Sequence, residues 1–252
     1  MRLDKYLSQA GLGTRSEVKK FIRSERVLLD GITAKKPEEK VEEGMEVLFD
    51  GNPVLWEEYE YFMMNKPAGV ISATQDSREK TVLDLLTCVH SKEIFPVGRL
   101  DKDTEGLLLL TNDGILAHEL LSPKKHVSKR YLVWVEGEIT SIDRTLLEKG
   151  IDIGDKKLTM PAELSNINYY IEAGTKMRKK EKDEEKPVVQ TRLEISISEG
   201  RYHQVKRMFA AVGKPVQYLK RLSMGTLELD EALEPGEFRR LTEEEIKKLK
   251  KT

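Results

Sequence analysis

Between residues 98 and 114 the chain reads GRLDKDTEGLLLLTNDG. Asp101, Asp103 and Glu105 alternate there with Lys102 and Thr104, between the apolar run IFPV and four consecutive leucines. Carboxylates so spaced could bind calcium, act on an electrophilic carbon, or simply solvate a turn. The calcium reading fails on its own pattern. Asp101, Asp103, Glu105 and Gly106 match positions one, three, five and six of an EF-hand loop, but position nine is Leu109 and position twelve, which needs a bidentate Glu, is Asn112. A charged turn feeding a buried strand would be ordinary antiparallel architecture. Leu100 argues for more: an apolar side chain between Arg99 and Asp101 suits a loop folded against a cleft, where a carboxylate near apolar surface needs a cation. Lys206 and Arg207 of HQVKRM, which leave the apolar face of their own segment, are the candidates to supply it.

Other chemistries are excluded by what is missing. HELLS at 118–122 lacks the second His of a helical zinc site, and there is neither a Walker loop nor a Gly-rich dinucleotide turn. The four histidines are isolated in sequence, and the single Cys88 forms no intrachain disulfide or Cys-cluster zinc site. No metal and no organic cofactor is expected. Cys88 reads as a small buried thiol in TVLDLLTCV. With 35 % charged residues, no apolar run long enough to span a bilayer and no secretory leader in MRLDKYLSQAG, the 252-residue chain is expected to be a soluble cytoplasmic protein without membrane contact.

Net charge is only -1, but the charge is segregated. Residues 1–36 hold nine Lys/Arg against four Asp/Glu, and residues 37–60 hold one against nine. The N-terminal segment therefore carries a local basic field. Arg2 and Lys5 contribute to it, and Arg15, Lys19, Arg23 and Arg26 follow one another at spacings of four, four and three, one stripe on a helix without interleaved acids. These six cations are the candidate nucleic-acid contacts. Two further basic stretches are EGRYHQVKRMFAAVGKPVQYLKRL and SPKKHVSKRY.

The elements that must position these residues are partly legible. Thr14 and Glu17 form a capping box ahead of Val18, Phe21 and Ile22, a helical apolar face. VLLDGITA predicts a hairpin on Asp30-Gly31, MEVLFDG a further strand, and DGNPVLWEE a linker. Two domains follow: residues 1–55, linker included, and residues 56–252. In the second, YFMMNKPAG predicts a strand and a break, TVLDLLTCVH a Thr-capped helix, and NDGILAHELL a helix capped by Asp113 and ended by Pro123. KRYLVWVEGEI and TRLEISISEG alternate as strands, and Val205, Met208, Phe209 and Val212 mark a helix stopped by Gly213. LTEEEIKKLKK is a capped helix with Glu early and Lys late. GTKMRKKEKDEEK, without apolar period, reads as a mobile surface insertion. The fold class is α+β.

MRLDKYLSQAG, TRSEVKKFIRSERVLLDG, YFMMNKPAG, GRLDKDTEGL, KRYLV and EGRYHQVKRMFAAVG, taken together and in order, resemble the RsuA family of ribosomal RNA pseudouridine synthases over nearly the whole chain. The resemblance implies a small N-terminal alpha-L RNA-binding domain joined to a catalytic domain with a mixed, mainly antiparallel sheet flanked by helices. It implies isomerisation of a uridine without cofactor. On the matching motifs, Asp101 is the attacking aspartate, Arg99 displaces or holds the flipped base, Tyr131 stacks on it, and Lys206 pairs with the aspartate. Asp-Thr in DKDTEG and His-Gln in YHQVKRM look like the branch acting on 16S ribosomal RNA, as RNA or as a small-subunit assembly intermediate, and a monomer is expected. Glu105, where a small hydroxyl residue is usual, and the length of the 172–187 insertion depart from the pattern. A large-subunit ribosomal RNA enzyme and a non-catalytic RNA-binding assembly protein are the alternative readings.

Overall fold

The computed structural model describes residues 1–42, 44–54, 56, 59–87, 93–172 and 188–252, in two compact units, Met1–Tyr59 and Glu60–Thr252. Cys88 and the insertion at 172–187, apart from Glu172, lie outside the described residues.

In the first unit, helices α1 (Leu3–Gln9) and α2 (Arg15–Arg23) pack on strands β1 (Val27–Leu29), β2 (Ile32–Thr33), β3 (Val47–Phe49) and β4 (Asn52–Pro53), ordered β2-β1-β3-β4. Thr14 Oγ1 accepts from Glu17 N, and Glu17 Oε2 accepts in return from Thr14 N at 2.8 Å, so the capping box starts α2 as its sequence predicts. Val18 and Ile22 are fully buried with Leu3, Leu7 and Val27. Both hairpins turn on Asp-Gly pairs with positive φ at each residue, Asp30-Gly31 and Asp50-Gly51, the combination that matches strand twist. The second hairpin corrects the linker expectation, because DGNP is a turn and a strand. Val54 N donates to Val47 O, Tyr6 Oη donates to Val54 O at 2.8 Å, and Trp56 sets its ring edge-on to Tyr6. These contacts keep the chain in this unit to Tyr59, beyond the expected boundary at 55.

The second unit is built on β5 (Tyr61–Lys66), β6 (Phe95–Pro96), β7 (Glu105–Thr111), β8 (Lys129–Glu136), β9 (Glu163–Glu172), β10 (Val188–Ile197), β11 (Val216–Met224), β12 (Leu227–Glu228) and β13 (Phe238–Arg240). Its helices are α3 (Gly114–Leu121), α4 (Ser141–Lys149), α5 (Gln204–Ala211) and α6 (Glu243–Leu249). The sheet runs β13-β5-β7-β11-β8-β10-β9, with β6 on β7 and β12 on β11, and every pair is antiparallel except β7 with β11. The four leucines, Leu107–Leu110, are wholly buried in β7, as a central strand between two others requires. Gly106 sits at the parallel seam with φ +97°, and a Cβ there would stand 2.3 Å from the Arg221 carbonyl oxygen. Only glycine permits β7 and β11 to meet so closely at that point. Val205, Met208 and Phe209 of α5 and Leu147 of α4 pack on Val133, Val135, Leu193 and Ile195.

Asp113 caps α3 by accepting from Leu116 N at 3.0 Å, and Thr242 caps α6, both as expected. In TVLDLLTCVH the Thr81 cap forms, with Asp84 N donating to Thr81 Oγ1 and Asp84 Oδ2 accepting from Thr81 N, but the described part is one 3₁₀ turn, Leu83–Leu85, ended where Leu86 leaves the helical region at ψ 66°. α4, with its Thr140–Asp143 capping box, and β9 add to the elements expected from sequence.

Candidate active site

A cavity of about 400 Å³ opens in the second unit, lined from the 98–104 loop, from β8 and β11, and from the turn into α5. Its acid is Asp101, and the loop carrying it is fixed from beneath. Leu100, 6 % exposed, points inward, its N–H donating to Ser72 Oγ at 3.0 Å while Ser72 Oγ donates to Leu100 O at 2.9 Å. Thr104 N donates to Asp101 O, and Gly69 N to Lys102 O. Lys66 is wholly buried behind the loop and donates to Pro67 O at 2.9 Å, Thr104 O at 2.8 Å and Lys102 O at 3.3 Å. Burial pushes its ammonium down to about 8, against the pull of Asp103, Glu105 and Asp101.

The cation side comes from the start of α5. Gln204 Oε1 accepts from Arg201 N at 2.9 Å, and Gln204 Nε2 donates to Glu199 Oε1 at 2.9 Å, which pins the turn. His203 then enters the helix from a left-handed backbone, φ 48° and ψ 35°, with its ring stacked on Tyr202. Lys206, one helical turn on, places Nζ 3.0 Å from Asp101 Oδ2 and 2.6 Å from Asp103 Oδ1, and His203 Nε2 lies 3.3 Å from Asp101 Oδ1. Burial lowers the Lys206 ammonium, but Asp103 and Asp101 outweigh it and raise it above its ordinary value. Lys206 in turn holds Asp103 below the usual carboxylate range. Arg207, the other cation expected from this segment, turns away to Ile153 O and Asp155.

β8 and β11 supply the wall. Lys129, Tyr131 and Val133 alternate inward along β8, and Arg221 stands opposite Tyr131 in the ladder. Lys129, Tyr131 and Arg221 all line the cavity. Arg99 lines it too but is exposed, with no hydrogen bond or ion pair among the described residues. Glu105 begins β7 and accepts from Tyr218 Oη at 2.8 Å, a strand contact away from Lys206. Asp101, Tyr131, Arg99 and Lys206 are thus brought together. His203, Ser72, Lys66, Lys129 and Arg221 join them unanticipated. His203 had one available signal, its one-turn spacing from Lys206. The others depend on strand register and loop contacts that no local pattern carries.

The six candidate RNA-binding cations of the first unit divide. Lys5, Arg15 and Arg23 are exposed with no acid partner among the described residues. Arg2 forms a bidentate pair with Asp4 at 3.0 Å and reaches Glu38, and Lys19 lies 3.9 Å from the same Asp4. Arg26 corrects the stripe. α2 ends at Arg23, Glu25 takes a left-handed conformation, and Arg26 pairs with Asp50 and covers the Phe21 and Phe49 rings.

A carboxylate met at one oxygen by a lysine and at the other by a histidine, in a cavity walled by a tyrosine, can act on a sugar carbon or its hydroxyl while a flat base rests on the ring. Residues 60–211 match the family model for RNA pseudouridylate synthase, and residues 1–47 match the S4 domain. An uncharacterized RNA pseudouridine synthase, YtzG, of Bacillus subtilis is 50 % identical over 98 % of this chain and 97 % of its own. Ribosomal small subunit pseudouridine synthase A of Salmonella typhimurium is 41 % identical, and that of Vibrio cholerae 38 %, each over 98 % of both chains. A crystal structure of a pseudouridylate synthase, 36 % identical, superimposes with a TM-score of 0.64 over 99 % of each chain.

Proposed function

The chain belongs to the RNA pseudouridylate synthase family, and on that premise we propose that it converts one uridine of small-subunit ribosomal RNA to pseudouridine, with Asp101 as the reacting carboxylate. The observation that carries the reading is Asp101 held by Lys206 and His203 inside the cavity that Tyr131 walls. The small-subunit assignment rests on the relatives that bear that name along their full length.

A uridine in structured RNA must leave its stack to reach a cavity of this kind. Tyr131 offers the face on which the flipped base rests, and exposed Arg99 stands at the mouth to occupy the gap it leaves. Asp101 acts on the ribose, as nucleophile at C1′ or as base at C2′. In either case the C1′–N1 bond breaks and its electron pair departs with the uracil. The uracil turns in place and C5 bonds to C1′ as the Asp101–C1′ ester breaks or, on the second route, as Asp101 returns the proton to C2′; C5 then loses its proton and N1 gains one. The exchange is redox-neutral and needs no cosubstrate. Lys206 and His203 fix both carboxylate oxygens, so the acid is oriented before substrate arrives. A binding-only protein would have no use for Asp101, Lys206 and Tyr131 at one cavity. In the first unit, Lys5, Arg15 and Arg23 are free to meet phosphates.

Mapping pseudouridine in ribosomal RNA from cells with and without the protein tests the assignment. Loss of a single small-subunit site is expected. A lost site in large-subunit RNA, or no lost site, contradicts it.

A further inference from the structure

The cavity holds two buried cations, Arg221 and Lys129, that no acid among the described residues neutralises. Arg221 is 3 % exposed, and its guanidinium makes one hydrogen bond, from Nε to Leu107 O at 2.8 Å. Nη2 is sealed from solvent with no partner. Lys129 is 8 % exposed and donates only to the backbone oxygen of Val127, at 2.8 Å. Burial, and then Arg221, lower its ammonium below the ordinary lysine value. Thr104 Oγ1, in the same lining, is also sealed and unpartnered. The two carboxylates of the lining are committed elsewhere, Asp101 to Lys206 and His203, and Glu199 to Arg201, Gln204 and the Met160 amide. Buried charge without a counter-charge is costly, and a group left so calls for a ligand or another explanation.

Position names the ligand. Arg221 faces Tyr131 across the β8–β11 ladder, and Lys129 lies two residues before Tyr131 on the same strand face. Both cations therefore flank the ring proposed to carry the base. Around them are Leu100, Leu219, Ile197 and Val205, a wall suited to a flat heterocycle. When the C1′–N1 bond breaks, the uracil carries the electron pair, and its charge spreads from N1 onto the two carbonyl oxygens.

We propose that Arg221 and Lys129 are catalytic residues that hold the detached uracil as an anion by its carbonyl oxygens, with Thr104 as an additional hydrogen-bond donor. The proposal rests on the isomerisation reading of this cavity. The cations are unneutralised in the resting enzyme because their counter-charge appears only when the bond breaks, so they favour the transition state over the bound uridine. They also retain the free ring while it turns.

The test uses the full chain and the ribosomal RNA that the wild type modifies, with tritium at uridine C5 and its release as the readout. An inactive wild type on small-subunit RNA would overturn the substrate assignment alone, and the comparison would then be made on the RNA that it does modify. Lys129→Met and Arg221→Gln are each expected to lower kcat by about 10- to 100-fold with RNA Kd and its salt dependence unchanged. Arg221→Lys, which keeps the charge, should recover most of the Arg221→Gln loss at a similar melting temperature. If Arg221→Gln does not fold, Lys129→Met decides alone. Weaker Kd with intact kcat and a salt slope reduced by about 0.7–0.9 would mark a phosphate contact and overturn the proposal. Full activity in Lys129→Met, or an Arg221→Lys that is folded yet as slow as Arg221→Gln, would overturn it as well.

Discussion

In the first unit Arg15 and Arg23 stand in solvent, whereas in the second Arg221 and Lys129 are buried, and none of the four has an acid partner among the described residues. Between them stands Lys206, partly buried and shared by two aspartates. Solvent screens the first kind, so such cations attract phosphates over several ångströms, with energies that salt erodes. The second kind cannot act at range. In a cavity it waits for charge at one place, and salt hardly reaches it. One chain thus uses the same residue types for holding RNA and for acting on a single nucleotide, and burial decides which. Removing a cation should accordingly change affinity in one unit and turnover in the other.

The largest expected loss among the positioning groups is at Lys206. Lys206→Met leaves Asp101 with His203 alone and should lower kcat about 100-fold with Kd kept, as measured by single-turnover kinetics. A change in Kd alone would move Lys206 into the solvent-exposed class. Next, Gly106→Ala forces a Cβ against the Arg221 carbonyl at positive φ. It should cost about 3 kcal/mol in denaturant unfolding, because neither backbone can yield without parting β7 from β11. A shift below about 0.5 kcal/mol would mean the seam is softer than the cavity needs.

Lys66 gives a pH signature. Its folded value of about 8 lies below the unfolded 10.5, so between these pH values the unfolded chain binds more protons and stability contributed by Lys66 rises with pH. Measured against Lys66→Met, the wild type should gain up to about 3 kcal/mol across that window. A flat difference would place the ammonium in a wetter site than its three carbonyl partners imply. Smallest is the surface effect. Arg15→Gln with Arg23→Gln should leave kcat unchanged and reduce the slope of log affinity against log salt by about 1.4–1.8. An unaltered slope would remove these two arginines from the RNA interface.

Local signals carried much of the architecture into the sequence. The Thr14, Asp113 and Thr242 caps, the Asp30-Gly31 turn and the LLLL strand are local rules, legible because neighbouring residues satisfy them. The same reading offers Lys206 and Arg207 together as cations for an acid of GRLD through Leu100, although the resemblance is needed to single out Lys206, Asp101, Arg99 and Tyr131, and Arg207 turns away. Arg26 was misplaced because α2 stops at Arg23, where Glu25 turns left-handed, and periodicity says nothing of where a helix ends. Asp4 on α1 was invisible as the partner of Lys19, since the two meet only when the helices pack. Arg221 and Lys129 were hidden for a related reason. Lys220 and Arg221 are adjacent basic residues in sequence, and only register in the sheet sends Arg221 to the cavity beside Tyr131.

In the proposed reaction Asp101 is the residue that reacts with the ribose, and Lys206 and His203 hold it. Asp101→Asn preserves shape and removes the charge, so tritium release from C5-labelled RNA, measured together with RNA binding, tests that role most directly. Turnover should fall by at least about 10³-fold with affinity unchanged. Wild-type turnover in Asp101→Asn would contradict that role.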